Sequence, residues 1–311
     1  MLAIVCPGQG SQTSGFLSPW LVDDETKSVL QSFAEASQTD LITHGTVSDE
    51  ETIRDTALAQ PLIVAASLLS ARALGLSPET LAGYGEKVLV SGHSVGEIPA
   101  ATLAGALTEE QALKLIAIRA SAMAEAAAAE PTGMAAVVGG VEDQVREAIE
   151  AAGLAPANVN GPGQIVAAGN EQGLSSLAEN PPARARVIPL KVAGAFHTQY
   201  MSSAGEKLAQ AAGGIQPRDA VVGLLSNRDG EDTREGSEVL SRIVDQVTRP
   251  VRWDLCMETM KARGVTGILE LLPGGTLVGL AKRGLKGVQS LAVTSPDDLD
   301  KARDFIAEHT A

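Results

Sequence analysis

Short apolar runs alternate with helical stretches along most of the chain, and the runs stop at glycine or proline. The first run, Leu2–Cys6, predicts a buried strand, and residues 87–90 predict a second. Residues 60–74 have helical periodicity. Thr108 followed by Gln111 has the spacing of a capping box, which predicts that a helix begins there. This alternation is typical of an α/β fold with a parallel sheet.

The pattern changes between residues 131 and 193, and alternation resumes after that segment. The predicted order there is strand 134–138, helix 141–152, strands 156–159 and 164–168, helix 171–178 and strand 186–191. This β-α-β-β-α-β order is that of a ferredoxin-like unit. We therefore expect a large subdomain over residues 1–130 and 194–311, with a ferredoxin-like subdomain inserted at residues 131–193.

Composition excludes nucleic acid as the main partner. The 311 residues include 24 basic and 38 acidic side chains, for a net charge of −14, with only four Phe, two Trp and two Tyr. Nucleic-acid binders need a basic face, and single-strand binders also need aromatic rings for stacking. A 44% apolar content is enough for a sizeable core and argues against disorder.

The sequence also bears on targeting, membrane insertion and the state of the cysteines. The N-terminus has no basic region and is broken at Pro7, so we expect no signal peptide. The longest apolar stretch, residues 61–71, is too short to span a bilayer. Cys6 and Cys256 have no metal or redox spacing and are expected to be buried thiols. We predict a cytoplasmic protein, with no membrane contact, no metal, no bound cofactor, and a monomeric state.

A glycine-rich turn follows the apolar run at residues 87–90 and precedes a helical stretch. It contains Gly92-x-Ser94-x-Gly96, the pattern of a nucleophile elbow. The glycines leave room for a sharp turn that lifts Ser94 Oγ above the sheet at a helix N-terminus, where an oxyanion is stabilised. Ser94 is the candidate nucleophile of an α/β-hydrolase-like subdomain, and an ordinary glycine-rich turn is the alternative.

Four histidines are candidates for the base that a serine nucleophile needs. His309 is expected on a frayed C-terminal helix and His44 in a polar loop. His93 adjoins the candidate nucleophile, but adjacent side chains in a turn point apart, so we expect it to pack beside the site. His197 ends the strand-like run 192–197, and active-site residues of open α/β sheets collect at strand ends. By elimination, His197 is the predicted base.

The orienting partner of His197 is expected to be neutral. Hydrolases of this fold carry an acidic residue between the serine and the histidine, and no acidic residue before His197 stands out. A neutral group fixes the tautomer but stabilises the imidazolium less than a carboxylate does.

Two further segments carry groups suited to negative charge. Arg119 shares a helix face with Leu115 and Met123, so it points inward and needs an anionic partner. That partner is either an internal carboxylate such as Glu97 or a substrate carboxylate held by two hydrogen bonds. The loop at residues 7–12 lacks the spacing of a phosphate-binding loop, and could instead donate a backbone N–H to an oxyanion.

Together these motifs resemble those of malonyl-CoA:acyl carrier protein transacylases, the discrete acyltransferases of type II fatty acid synthesis. The matching segments are Pro7-Gly8-Gln9-Gly10-Ser11-Gln12, Gly92-His93-Ser94-Val95-Gly96-Glu97, Arg119-x-x-x-Met123, Asn158-Val159-Asn160-Gly161, Phe196-His197 with Met201, Gln246 before Pro250-Val251-Arg252-Trp253, and Glu270-x-x-Pro273-Gly274. They span nearly the whole chain. The resemblance implies that the ferredoxin-like unit is a small subdomain over the cleft.

The resemblance also implies a reaction and a role for each residue. A serine attacks malonyl-CoA, a histidine accepts its proton, and the pantetheine thiol of acyl carrier protein takes the malonyl group from the acyl-enzyme. The implied residues are Ser94, His197 and its orienting Gln246 for catalysis, the backbone N–H groups of Gln9 and Val95 for the oxyanion hole, Arg119 for the malonyl carboxylate, and Met123, Asn160 and Phe196 for the substrate pocket.

Charge placement suggests where an acidic carrier protein could dock. Residues 181–197 carry three bases and no acid, and residues 249–286 carry seven bases and three acids. We expect these stretches to flank the cleft and attract the carrier and the CoA phosphates; ordinary solvated charge is the alternative. The candidate docking residues are Arg184, Arg186, Lys282, Arg283 and Lys286.

Two other functions stay open. The elbow alone would permit an esterase or thioesterase, although the chain lacks both an HGGG-type loop and the order of acid then histidine. The third possible function is that of a non-catalytic acyl-carrier scaffold. Whether the carrier serves fatty acid or polyketide synthesis also stays open.

Overall fold

Two five-stranded sheets form the framework of the protein. The computed structural model describes residues 1–192 and 194–311. With strands numbered in chain order, the larger sheet contains β1 (Leu2–Cys6), β2 (Val88–Gly92), β7 (Gly223–Leu225), β9 (Gly267–Glu270) and β10 (Gln289–Ala292). Its order is β10-β9-β1-β2-β7, and each neighbouring pair is parallel. The predicted α/β fold with a parallel sheet is confirmed.

The smaller sheet contains β3 (Thr132–Gly139), β4 (Ala155–Val159), β5 (Gln164–Asn170), β6 (Ala185–Pro189) and β8 (Val251–Arg252). Its order is β6-β3-β5-β4-β8. The first four strands pair antiparallel, whereas β8 pairs parallel to β4 through Asn158 and Val251. A strand from a distant part of the chain, which the sequence patterns did not predict, therefore completes this sheet.

Helices surround both sheets. They are α1 (Asp24–Ser37), α2 (Leu41–Thr46), α3 (Thr56–Ala73), α4 (Pro78–Tyr84), α5 (Glu97–Leu103), α6 (Glu109–Ala129), α7 (Glu142–Ala151), α8 (Glu171–Glu179), α9 (Ser202–Ala212), α10 (Gly236–Asp245), α11 (Trp253–Ala262), α12 (Thr276–Gly284) and α13 (Leu299–Thr310). The capping box predicted for α6 is confirmed, because Thr108 and Gln111 each accept a hydrogen bond from the other's backbone N–H.

Helix α3 lies in the main hydrophobic core. By length and composition it could cross a membrane, alone among the helices of the described residues, yet 78% of it is buried inside the protein. Its residues Leu62, Ile63, Val64 and Ala65 have no exposed surface. The helix is longer than its apolar centre suggested, and its burial is that of a core helix.

Three sequence-based expectations are wrong. His44 lies in helix α2 rather than in a polar loop. His309 is not frayed: it is buried, its Nδ1 lies 2.8 Å from Thr266 Oγ1, and its ring packs on Phe305. The run 192–197 includes Ala193, which lies outside the described residues, and its described part forms no strand. His197 has a φ of +62°, which is incompatible with an extended chain.

Candidate active site

The turn after β2 is held tight by two glycines. Ser94 has a φ of +53°, an uncommon backbone conformation for a residue with a side chain. A Cβ atom on Gly92 would lie 2.0 Å from the carbonyl carbon of Gly96, and a Cβ on Gly96 would lie 2.2 Å from the carbonyl oxygen of Cys6. Only glycine fits at these two positions, so the chain turns sharply and presents Ser94 at the carboxyl edge of the parallel sheet.

Ser94 and His197 are in direct hydrogen-bond contact. The distance from Ser94 Oγ to His197 Nε2 is 2.7 Å, and His197 Nδ1 lies 2.8 Å from the backbone oxygen of Gln246. A carbonyl oxygen can only accept, so Nδ1 carries the hydrogen and Nε2 is the acceptor that faces the serine hydroxyl. A neutral backbone group therefore orients the imidazole, as expected when no suitable acidic residue stood out in the sequence.

Burial and a nearby cation keep His197 neutral. Desolvation is the main reason that its pKa falls from 6.5 to about 3, and the positive charge of Arg119 lowers it further. The hydrogen bond to the Gln246 carbonyl acts in the opposite direction. The unprotonated ring can accept the serine proton over a wide range of pH.

Arg119 points inward, as predicted, and is 1% exposed. Its Nη1 donates to Gln60 Oε1 at 2.5 Å, and its Nη2 donates to Gln246 Oε1 at 2.9 Å and to Ser94 Oγ at 3.5 Å. Within the described parts of the chain, no carboxylate lies in salt-bridge distance of the guanidinium, so the internal ion pair with Glu97 does not form. The charge of Arg119 is held by neutral acceptors beside Ser94.

The loop after β1 packs against the nucleophile turn. A Cβ atom on Gly8 would lie 2.9 Å from both Nδ1 and the backbone oxygen of His93, so only glycine allows this approach. The Gln9 side chain donates to Thr56 Oγ1 at 3.1 Å. Among the described residues, the backbone N–H groups of Gln9 and Val95 have no hydrogen-bond acceptor. Both are free donors near the elbow, which suits the oxyanion hole predicted for them.

His93 connects the nucleophile turn to the small sheet. Its Nε2 lies 2.8 Å from Asn160 Oδ1, and its ring meets Trp253 edge-on at 5.8 Å between centroids. Burial lowers its pKa, so the ring stays neutral and donates to the amide oxygen. His93 therefore packs beside the site, as expected, while the Asn160 side chain is occupied by His93.

The two apolar residues predicted for the substrate pocket are both buried. Met123 lies one helical turn beyond Arg119, and its sulfur accepts from Gln60 Nε2 at 3.5 Å. Phe196 precedes His197 in the same turn and is 5% exposed. Met123 contributes apolar surface next to the Arg119 network, and Phe196 contributes it next to His197.

Three buried polar residues adjoin the site: Gln60 and Asn227 were not predicted to belong to it, and Glu97 was predicted only as a possible partner of Arg119. Gln60 holds Arg119, and Glu97 accepts from both the Asn227 backbone and the Gln246 amide. Asn227 accepts from the Ser94 backbone N–H at 2.7 Å and donates to the Gly92 backbone oxygen at 2.6 Å. Asn227 is the second residue beyond the end of β7, so the strand-end rule applied to His197 would also have found it.

The predicted docking residues form exposed groups at one end of the small sheet. Lys282 and Arg283 lie in the last turn of α12, and Arg283 donates to Gln164 Oε1 at 3.5 Å. Val138 of β3 pairs with Gln164 on one side and with Arg186 on the other. Neighbouring strands lie about 4.8 Å apart, and Arg186 and Gln164 are separated by two such spacings, so they lie roughly 10 Å apart. The two basic stretches therefore approach each other at Arg186 and Arg283; Arg184 and Lys286, which belong to the same stretches, are also exposed.

The acyl transferase domain family matches residues 3–302 of the chain. The malonyl CoA-acyl carrier protein transacylase of Mycobacterium bovis is 48% identical over 301 residues, which cover 97% of this chain and 99% of the relative. The crystal structure of MCAT from Mycobacterium tuberculosis has a TM-score of 0.92 at 48% identity and covers 97% of this chain and 99% of its own.

A second similar structure is a complex of a type II PKS acyl-carrier protein with its malonyl-transacylase. Its TM-score is 0.87 at 28% identity, with 97% of this chain and 99% of that chain covered. Similarity of this extent confirms that the protein is an acyltransferase. The chain belongs to the acyl transferase domain family, together with the malonyl CoA-acyl carrier protein transacylases.

Proposed function

We propose that the protein transfers a malonyl group from malonyl-CoA to the pantetheine thiol of an acyl carrier protein, through an ester on Ser94. The observation that carries the proposal is the buried guanidinium of Arg119, whose Nη2 lies 3.5 Å from Ser94 Oγ. A cation so close to the nucleophile suits an acyl group that ends in a carboxylate. The names of the relatives support the same pair of substrates.

In the first half-reaction, His197 Nε2 takes the proton of Ser94 as Oγ attacks the thioester carbonyl carbon. The backbone N–H groups of Gln9 and Val95 donate to the oxyanion that forms. When the tetrahedral intermediate collapses, the carbon–sulfur bond breaks, and His197 returns the proton to the departing CoA sulfur. The backbone oxygen of Gln246 keeps the ring in the tautomer that these steps need.

The substrate carboxylate also adjusts the base. In the free protein, the charge of Arg119 is one cause of the low pKa of His197. A bound malonyl carboxylate would cancel that charge and raise the pKa of His197 toward the working pH, where general-base catalysis is most effective. Acetyl-CoA has no carboxylate and would leave His197 a weaker base.

In the second half-reaction, the pantetheine thiol of the carrier gives its proton to His197 and attacks the Ser94 ester. The ester carbon–oxygen bond breaks, and Ser94 Oγ recovers the proton from His197. The two halves form a ping-pong cycle in which one serine and one histidine serve both substrates.

A groove of about 590 Å³ offers a route for the pantetheine arm. Thr56, which holds the Gln9 side chain, and Ala127, one turn beyond Met123 on α6, both line it. Arg54 and Lys191 also line the groove. Its small side chains fit an extended arm, whereas its two bases are balanced by two acids, Glu51 and Asp55, so the groove offers no net positive charge to the phosphate at the end of the arm.

The basic end of the small sheet would receive the carrier protein. Lys282, Arg283 and Arg186 are exposed there, and an acidic partner would be attracted to them despite the net charge of −14. The similar complex with a type II PKS carrier supports carrier binding, and both fatty acid and polyketide carriers fit this description.

We further propose the division into a catalytic subdomain, residues 1–130 and 194–311, and a ferredoxin-like subdomain, residues 131–193. The strand order β6-β3-β5-β4 and the antiparallel pairing support it. Strand β8 is then a contribution of the catalytic subdomain to the smaller sheet.

Labelled malonyl-CoA tests this function and its alternatives. The protein is incubated with radiolabelled malonyl-CoA, separated from free label and then given acyl carrier protein with its pantetheine arm. Transfer of the label from protein to carrier is the expected result. Rapid release of free malonate would instead indicate a thioesterase, and absence of any protein-bound label would indicate a scaffold.

A further inference from the structure

Glu97 is a buried carboxylate to which the reaction proposed above gives no part. It is the first residue of α5, directly after the nucleophile turn, and is 5% exposed. A carboxylate buried this deeply is costly unless its oxygens are hydrogen-bonded. Its partners therefore indicate what it is for.

Each oxygen of Glu97 accepts a hydrogen bond from a different part of the site. Oε1 accepts from the backbone N–H of Asn227 at 2.5 Å, and Oε2 accepts from the side-chain amide of Gln246. Both oxygens therefore act as hydrogen-bond acceptors. Burial raises the pKa of Glu97 to about 8 and outweighs the hydrogen bonds from Asn227 and Gln246 and the charges of Arg119 and Arg242, which all lower it.

The contact with Glu97 determines which way the Gln246 amide points. Oε2 of Glu97 is the acceptor in this contact, so the NH₂ group of Gln246 faces Glu97 and its Oε1 faces Arg119 Nη2 at 2.9 Å. The same NH₂ group also donates to the backbone oxygen of Ser94 at 3.0 Å. With the amide reversed, an N–H donor would meet the guanidinium, and Arg119 would lose one of its acceptors.

We propose that Glu97 is a positioning residue for acyl-group selection: it fixes the orientation of the Gln246 amide and thereby holds the Arg119 guanidinium beside Ser94. This inference rests on the proposed function, since it is there that Arg119 takes the malonyl carboxylate. Glu97 touches no substrate in this arrangement and acts through Gln246.

A purely structural role for Glu97 makes a different prediction. Glu97 also holds the backbone of Asn227, whose side chain accepts from the Ser94 N–H. If Glu97 only kept the nucleophile turn in shape, its loss would slow acylation of Ser94 by every acyl-CoA to the same degree. The positioning role instead affects the carboxylated substrate more.

Glu97→Gln tests the inference because it keeps the shape of the side chain but replaces one acceptor with a donor. The measurement is kcat/KM for acylation by malonyl-CoA and by acetyl-CoA, taken as a ratio. Loss of one hydrogen bond to a charged group predicts that the ratio falls about tenfold or more, with a higher KM for malonyl-CoA. An equal loss for both substrates would overturn the inference.

Glu270→Gln is the matched control. Glu270 has no exposed surface, and its oxygens accept from the backbone N–H groups of Gly275, Leu277 and Val278 at the start of α12. We expect its ratio to stay at the wild-type value. If the ratio fell as much as in Glu97→Gln, the effect would come from general destabilisation by the loss of a buried glutamate. That result would overturn the inference.

Glu97→Asp keeps the test decisive if the glutamine variant does not fold. The shorter carboxylate keeps its charge but cannot reach both donors, so the ratio should again fall, and an unchanged ratio would overturn the inference. Failure of the proposed function would give a different experimental result from failure of this inference. In that case the wild type gains no label from malonyl-CoA, or Arg119→Ala leaves the preference for malonyl over acetyl groups intact.

Discussion

The two sheets differ in burial, and the proposed chemistry follows that difference. Strands β1 and β2 of the parallel sheet are buried along their whole length, whereas the edge strand β6 of the small sheet exposes most of its residues. Gln9, Ser94 and Asn227 follow the carboxyl ends of β1, β2 and β7. A rigid, buried sheet edge suits atoms that must meet within a few tenths of an ångström, while an exposed sheet suits a transient partner.

This comparison predicts that changes at the parallel sheet alter the chemical steps and that changes at the small sheet alter binding. Ser94→Ala should have the largest effect, a loss of roughly 10⁶-fold in kcat, because no other group replaces the nucleophile. Malonyl transfer to the carrier measures it. Ser91→Ala is the control: Ser91 is buried in β2, which leads into the nucleophile turn, donates to the Leu225 backbone oxygen at 3.3 Å, and should retain most activity. Comparable losses in both variants would contradict the assignment.

Arg119→Ala should reduce acylation by malonyl-CoA about 100-fold more than acylation by acetyl-CoA, since only malonyl presents a carboxylate. Arg119→Lys, which keeps the charge without the planar fork, should fall between the wild type and the alanine variant. Steady-state kinetics with both substrates provide the measurement. An equal drop for malonyl and acetyl groups would remove Arg119 from substrate selection.

The pH dependence tests the electrostatic link between Arg119 and His197. Because the pKa of His197 is lowered to about 3, kcat/KM for acylation should not decline through pH 6.5 as an ordinary histidine would require. The stability gained from keeping His197 neutral is present above pH 6.5 and is lost as the pH falls toward 3. Arg119→Ala removes a cation, so the decline of kcat/KM at acidic pH should shift to a higher pH. A decline of kcat/KM near pH 6.5 in both the wild type and Arg119→Ala would contradict this link.

Asn160→Ala tests the contact between the small sheet and the nucleophile turn. It leaves His93 Nε2 without its buried acceptor, so we expect a loss of about 1–2 kcal/mol in stability and up to about tenfold in kcat/KM. Thermal unfolding and kinetics measure the two effects. Asn158→Ala is the control, since Asn158 Oδ1 is buried without a hydrogen-bond partner among the described residues. Equal effects at the two positions would mean that the His93 contact has no special importance.

The smallest effect is expected at the basic end of the small sheet. Reversing Lys282, Arg283 and Lys286 to glutamate should raise KM for the carrier several-fold and reduce its dependence on salt, without changing acylation by malonyl-CoA. The charge-matched control reverses three exposed lysines elsewhere, Lys27, Lys114 and Lys207. Unchanged carrier kinetics in the first variant, or an equal rise in the control, would rule out this docking surface.

Local sequence patterns predicted the elements that local interactions determine. The apolar run of β1, the capping box of α6 and the glycines of the nucleophile turn each carry their own physical reason within a few residues. Strand β8 could not be predicted this way, because two residues have no periodicity and the strand exists through its pairing with β4. Helix α2 was missed for a similar reason, since six residues around His44 include a glycine.

The candidate site likewise has residues that local sequence patterns predict and residues that they do not. The pattern around Ser94 and the inward face of Arg119 were readable from the sequence, whereas the partners of Arg119 were not. Gln60 and Gln246 lie 59 and 127 residues away from it in the chain, and neutral amides carry no charge signal. The link from Glu97 to Gln246 spans 149 residues and likewise follows from the fold alone.

The most direct test of the central claim is to identify the residue that carries the malonyl group. The protein is mixed with malonyl-CoA in the absence of carrier, digested and mapped by mass spectrometry. The mechanism predicts a malonyl ester on the peptide that contains Ser94, and its disappearance when carrier protein is added before digestion. A malonyl group on another residue, or transfer to the carrier without any adduct on Ser94, would contradict it.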